Sequence, residues 1–265
     1  MIPAALSVGA ATDVGRVRTT NEDSVLVAGT VFAVADGMGG HLAGDVASAL
    51  ATTRLGDLGA LAEATPEDVV AALDAANADI LAAADPDGQR HGMGTTVTGL
   101  CLVRMGGAAH WLVFNIGDSR VYRLAGEQLA RLTVDHSEVE ELVTAGRITS
   151  EQARSHPLRN VVTRALGTNP APVADLWVFP CTPGERFLVC SDGLTTELDD
   201  DEIISVLRSE PVAQTAADVL VARAVAAGGH DNVTAIVVDL PAAADVTEVD
   251  GRTAPRRQIG PGSGG

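Results

Sequence analysis

Short apolar runs rich in β-branched residues recur along the chain at 25–28, 31–35, 95–103, 109–116, 120–124, 128–132, 175–179, 186–190 and 232–240. Each has the length of a strand. Several are parted only by glycine-containing turns, such as Gly106-Gly107 and Ala125-Gly126, which is the pattern of antiparallel meanders. Two longer stretches repeat at helical spacing. Residues 40–55 place Ala43, Val46, Ala47 and Leu50 on one face. Residues 66–83 follow Thr65 as N-cap, with Pro66 in the first helical position and acids in the first turn. A second helical pair, 200–207 and 212–227, follows the strand at 186. Helices therefore interrupt a mostly antiparallel β structure in two places. The expected fold is α+β: two packed, mainly antiparallel sheets flanked by helices, four layers in the order αββα.

Two segments depart from this pattern. Residues 133–167 are polar, contain His136 and His156, and are broken by Gly146 and Pro157, which predicts an inserted flap. Beyond Leu240 the periodicity ends and proline and glycine accumulate, which predicts a disordered tail over 241–265 behind a single domain at 1–240. A hydrophobic share of 46% in 265 residues is enough for one substantial core.

Composition removes several chemistries. The formal net charge is −17, so the surface repels nucleic-acid phosphates and anionic membranes, and neither is an expected partner. All 18 basic residues are arginine. Without lysine there is no Walker-type phosphate loop, no kinase lysine on a nucleotide and no Schiff base. Cys101, Cys181 and Cys190 are widely spaced, lie in or near apolar runs, and lack both a C-x-x-C pattern and an arginine six positions on. They read as core residues, and neither a disulfide framework nor a cysteine-dependent phosphatase loop is expected. The N-terminus has no basic start, and no stretch approaches the ~20 apolar residues of a membrane span. A cytoplasmic, monomeric protein is expected.

Candidate chemistry sits at strand ends. Three apolar runs lead into an aspartate: 31–35 into Asp36, 111–117 into Asp118, and 187–191 into Asp192, while Asp231 immediately precedes the run at 232–240. In an antiparallel set these four positions can share one edge. Asp36-Gly37 and Asp192-Gly193 could each be a hairpin turn, but helical sequence follows both. Neighbouring carboxylates resist ionising together unless a cation neutralises them. Oxygen-only ligands favour Mg²⁺ or Mn²⁺ over zinc, and two such ions about 3.5–4 Å apart can activate a water for in-line attack on phosphorus.

Seven ordered segments carry a family resemblance: Asp13-Val-Gly-Arg-Val-Arg-Thr-Thr-Asn-Glu-Asp23, Val34-Ala-Asp-Gly-Met-Gly-Gly-His41, Gly94-Thr-Thr96, Asn115-Ile-Gly-Asp-Ser-Arg120, Leu132-Thr-Val-Asp-His-Ser137, Cys190-Ser-Asp-Gly-Leu194 and His230-Asp-Asn-Val-Thr234. The chain resembles the bacterial form of the type 2C (PPM), metal-dependent serine/threonine protein phosphatases over about residues 6–240. The resemblance implies a phosphatase catalytic domain with two Mn²⁺ or Mg²⁺ ions, and room for a third, that hydrolyses phosphoserine and phosphothreonine with a metal-activated water. Its implied partners are phosphorylated proteins, among them Ser/Thr kinases and their substrates.

Roles implied by the resemblance fall on particular residues. Asp36 bridges the two ions, Asp192 and Asp231 hold one, the Gly37 carbonyl holds the other, and Glu22 reaches it through water. Arg18 grips the phosphate, Asp118 with Asp192 takes a third ion, and Asp23 supports the site by hydrogen bonds. Eukaryotic relatives carry a histidine directly after the Asp-Gly pair, thought to protonate the leaving alcohol, where this chain has Met38. His41 is not assigned that role. A non-catalytic regulator that binds a phosphoprotein or kinase is the alternative from another class, and such proteins usually lose a metal ligand. A phosphatase acting on an anti-sigma antagonist would differ only in substrate.

Overall fold

The computed structural model describes residues 6–39, 43–61, 63–84 and 92–241. Two antiparallel sheets stack face to face. The first runs in the order β1 (Ser7–Asp13), β11 (Val233–Asp239), β10 (Arg186–Cys190), β7 (Arg120–Ala125) and β8 (Gln128–Arg131). The second runs β2 (Asp23–Ala28), β3 (Val31–Met38), β5 (Val97–Met105), β6 (Ala108–Ile116) and β9 (Asp175–Pro180), with the two-residue β4 (Gly94–Thr95) added beside β3. Among the described residues no helix is long and apolar enough to cross a membrane.

The period-2 alternation of each strand builds the layers. On β3, Phe32 and Val34 face the other sheet, whereas Val31, Ala33 and Ala35 face α1 (Gly44–Gly56) and α2 (Pro66–Ala83). On β11, Ile236 and Val238 point between the sheets while Val233, Ala235 and Val237 meet α5 (Asp192–Glu197), α6 (Asp200–Ser209) and α7 (Ala213–Ala227). The middle of the sandwich is closed by Trp111, whose ring lies 5.1 Å from that of Phe187. The αββα expectation holds. Cys101 and Cys190 are buried and unpaired in the two outer cores, and burial pushes each thiol up to about 12, which keeps both inert.

Local signals acted largely as anticipated. Thr65 and Asp68 close a reciprocal capping box with Pro66 in the first turn of α2. The Gly106-Gly107 turn has φ of 56° and 81°, conformations that suit glycine and let β5 and β6 pair without a break. Three expectations need correction. The helix anticipated from residue 40 is described from Gly44. Strand β3 does not stop before Asp36 but continues through Gly37 and Met38, because β4 offers those two residues a partner. Strand β1 was not anticipated: its SVGAATD sequence is poor in β-branched residues, and it forms because Gly9 lets the strand lie against α7, where a Cβ would come within 2.2 Å of Gln214.

The 133–167 segment is not free of structure. It holds two short helices, α3 (Glu138–Thr144) capped by Ser137 and α4 (Ser150–Arg154) capped by Thr149. Apart from Pro241, the tail anticipated over 241–265 lies outside the described residues, as does His41.

Candidate metal centre

The sandwich brings the singled-out acids to one edge. Asp23 and Asp36 are directly opposite each other on β2 and β3. Asp192 opens α5 after β10 and Asp231 lies two residues before β11, so the antiparallel pairing of β10 and β11 puts both at one end, close enough to Asp36 to act on its carboxyl. Neither Asp36-Gly37 nor Asp192-Gly193 is a hairpin turn: the first lies within β3, the second starts a helix.

Backbone contacts fix these positions tightly. The Asp36 amide donates to Thr96 Oγ1 at 3.2 Å, and its carbonyl accepts from the Thr96 amide at 2.9 Å and from Thr95 Oγ1 at 2.9 Å. Gly37 has no room for a side chain, since a Cβ would fall 2.2 Å from the Gly44 carbonyl oxygen. A Cβ on Gly193 would fall 2.0 Å from that of Asn232. Close approach of the chain segments, not turn geometry, is what demands glycine here. Asn232 ties down the segment that carries Arg18: its Nδ2 donates to the carbonyls of Val14 and Thr20, both at 3.0 Å, and its Oδ1 accepts from the Glu22 amide at 2.8 Å.

Burial sets the electrostatics. The Asp36 carboxyl is held well above the usual range, first by burial and then by repulsion from Asp23, Asp192, Asp118 and Asp231. Asp192 is raised by burial and by Asp231, against a hydrogen bond from Asp36. Asp118 is pushed up to about 8 by burial, then by Asp192 and Asp135. Burial also lifts Glu22, with Arg18 opposing. Asp23 rises to about 7 through burial, although Ser191 and Thr234 donate hydroxyl hydrogen bonds of 2.8 and 2.6 Å to its Oδ2. A group of carboxyls this costly to ionise in the protein alone is a strong acceptor of positive charge.

Arg18 stands at the rim, its side chain 52% exposed, with Nη2 donating to Asp231 Oδ2 at 2.8 Å. Among the described residues, no three His, Cys, Asp or Glu side chains close on one point at metal-ligand spacing. The residues nevertheless fit hard divalent cations. The donors are all oxygen, and Asp192 Oδ1 and Asp23 Oδ1 are buried without any hydrogen-bond partner. A cleft of about 530 Å³ opens from Asp118 and Asp192 toward Arg154 and Arg159 of the 133–167 segment.

Sequence reasoning named the acids but passed over the residues that hold them. Thr95, Thr96, Ser191, Asn232 and Thr234 all lie inside the seven ordered segments, and that adjacency was the one available signal.

Two antiparallel sheets between helices, with an all-oxygen acid cluster at one edge, define the class, and the chain belongs to the protein phosphatase 2C family, whose model matches residues 16–227. Among curated relatives, the serine/threonine phosphatase stp of Listeria monocytogenes is 37% identical over 243 residues, 86% of this chain and 93% of that protein. The serine/threonine protein phosphatase PstP of Mycobacterium tuberculosis is 40% identical over 241 residues, covering 89% of this chain but 45% of the longer relative. The crystal structure of the M. tuberculosis serine/threonine phosphatase PstP/Ppp superimposes with a TM-score of 0.83 at 38% identity, over 89% of this chain and 99% of that one. A PstP catalytic domain in complex with two manganese ions gives 0.81 at 36% identity, over 89% and 98%.

Proposed function

We propose that this protein hydrolyses phosphoserine and phosphothreonine monoesters on proteins, using two Mn²⁺ or Mg²⁺ ions. The observation that carries the reading is the cluster of buried carboxyls, Asp36 and Asp192 beside Asp231, gathered at one edge of the sandwich with Asp192 Oδ1 left without a hydrogen-bond partner. The manganese complex of the PstP domain supports two ions as the stoichiometry. When bound, such ions neutralise the acids, activate a water for in-line attack and stabilise the phosphoryl oxygens.

The chain's own residues have distinct tasks. Asp36, Asp192, Asp231 and the Gly37 carbonyl would hold the two ions, with Glu22 supporting the second from further out, and Asp118 with Asp192 would hold a third. Asp23 accepts from Ser191 and Thr234 and keeps β2, α5 and β11 in register beneath the site. Arg18 binds the phosphate: its guanidinium is always charged, and its planar donors match phosphate oxygens two at a time. Its present partner, Asp231, shows that it reaches the edge of the acid cluster. Met38, next to Gly37, has no proton to give, so protonation of the departing alkoxide falls to a water, either metal-bound or from bulk solvent.

Residues 1–240 form the catalytic domain and 133–167 the flap beside the cleft. We infer that it acts as a cytoplasmic monomer on phosphorylated proteins, including Ser/Thr kinases and their substrates. No expected ligand residue is missing, which gives a non-catalytic regulator nothing to rest on. The test is release of phosphate from phosphoserine and phosphothreonine peptides with Mn²⁺, with Mg²⁺, and with excess EDTA. Turnover that persists in EDTA would overturn the two-ion mechanism.

A further inference from the structure

Asp135 and His136 take no part in the function proposed above, yet they grip the chain on both sides of Asp118. Before it, the His136 amide donates to the Gly117 carbonyl at 2.8 Å and the Gly117 amide donates back to His136 Nδ1 at 3.1 Å. After it, Asp135 accepts from Arg120 Nε at 3.0 Å and from Nη2 at 2.6 Å. Two consecutive residues thus bracket Asp118 at positions 117 and 120. Gly117 cannot be held by a side chain of its own: its φ is +116°, and a Cβ would lie 2.5 Å from Thr96. His136 shares the turn with Asn115, whose Nδ2 donates to the Gly117 carbonyl at 3.0 Å, and with Thr96, whose hydroxyl pairs with that of Ser119 at 3.0 Å.

The imidazole of His136 is 5% exposed and uses both nitrogens. Because Nδ1 accepts from Gly117, the ring proton is assigned to Nε2, which donates to Asp175 Oδ2 at 3.1 Å. Asp175 Oδ1 accepts from Arg164 Nη1 at 2.9 Å, and the Thr163 amide donates to the His136 carbonyl at 2.8 Å. Both ends of the 133–167 segment therefore meet on His136. A buried imidazole needs a partner at each nitrogen, and these two partners fix the orientation of the ring against Gly117.

We propose that Asp135 and His136 are positioning residues for Asp118: His136 through Gly117, and Asp135 through Arg120, fix where the Asp118 carboxylate stands and so set how well Asp118 and Asp192 together hold a divalent cation. The proposal rests on the cation-binding reading of Asp118 given above. Nothing in it requires His136 to change protonation state.

The two His136 bonds can be separated. Asn at 136 places an amide oxygen near the Nδ1 position and keeps the acceptor for Gly117, whereas Gln reaches the Nε2 position and keeps only the donor to Asp175. Mn²⁺ binding to the full chain is measured by titration calorimetry for wild type, His136→Asn, His136→Gln, Asp118→Asn and the double variant Asp118→Asn/His136→Gln. His136→Gln should weaken the Asp118-dependent binding step roughly 10–100-fold, the usual loss when a group supporting a metal ligand is removed. His136→Asn should restore most of it. In the Asp118→Asn background the Gln substitution should cost nothing further, because both changes act through one carboxylate.

Equal losses in His136→Asn and His136→Gln, or the same loss with and without Asp118, would show a general structural effect and overturn the proposal. Should His136→Gln not fold, Asp135→Asn reads the bracket from its other side, and wild-type Mn²⁺ binding there overturns it equally. If Asp118→Asn itself binds Mn²⁺ as wild type does, the cation role of Asp118 fails and the proposal with it. A defective Asp118→Asn beside a normal His136→Gln sinks the positioning role alone.

Discussion

Replacing Asp23 with Asn should make the EDTA-treated protein less dependent on pH. Asp23 is buried directly opposite Asp36, and its carboxyl rises from an ordinary 3.8 to about 7. A folded-state value above the unfolded one means that the folded protein favours the protonated acid. The associated stability is fully present below pH ~4 and is lost as pH climbs through 7. Integrating between pH 5 and pH 8 gives a loss of about 3 kcal/mol from this one group. Asn keeps an acceptor for the Ser191 and Thr234 hydroxyls but buries an amide donor where Asp23 Oδ1 has no partner, at a cost of about 1–3 kcal/mol at every pH. Asp23→Asn should therefore be less stable than wild type at pH 5 and draw level with it or overtake it at pH 8. Urea unfolding in EDTA at the two pH values reads both terms. A wild-type minus variant difference that stays the same at pH 5 and pH 8 would refute the reasoning, because Asp23 would then titrate at its ordinary value.

Other outcomes follow from the same geometry. Asp36→Asn should lower kcat on p-nitrophenyl phosphate with saturating Mn²⁺ by more than about 100-fold, the order lost with one preorganised electrostatic contact; near-normal turnover would mean that the bridging position is misassigned. Arg18→Ala removes a charge-assisted bond of about 1.5–3 kcal/mol and should raise KM for phosphopeptides roughly tenfold or more with kcat little changed. A fall in kcat at constant KM would place Arg18 in the transition state instead. Gly37→Ala drives a Cβ into the Gly44 carbonyl and should cost about 1–3 kcal/mol in urea unfolding, since backbone, not a yielding side chain, stands in the way.

Much of this protein could be read from its residues, and particular elements show why. The strands at 31–35, 186–190 and 232–240 announce themselves because both faces are buried, so nearly every position is apolar. Thr65-Pro66 marks the start of α2 because capping depends on residues a few positions apart. β1 stayed hidden because its fitness lies in Gly9 meeting α7, a contact more than 200 residues away. The end of β3 was misjudged for a related reason, its extension through Met38 depending on β4.

The site divides along the same line. Sequence alone determined that Asp36, Asp118, Asp192 and Asp231 flank apolar strands, that lysine chemistry is absent, and that seven ordered segments match one family. Those are properties of residue type and order. Tertiary structure decided which atoms meet: Asn232 anchoring the Arg18 segment, Ser191 and Thr234 on Asp23, and Asp135 with His136 on either side of Asp118. Each of these contacts joins positions separated by 15 to 218 residues or sits across a strand pair. No local pattern encodes such distances, because they exist only once two sheets have packed and burial has turned each carboxylate's surroundings from water into other carboxylates.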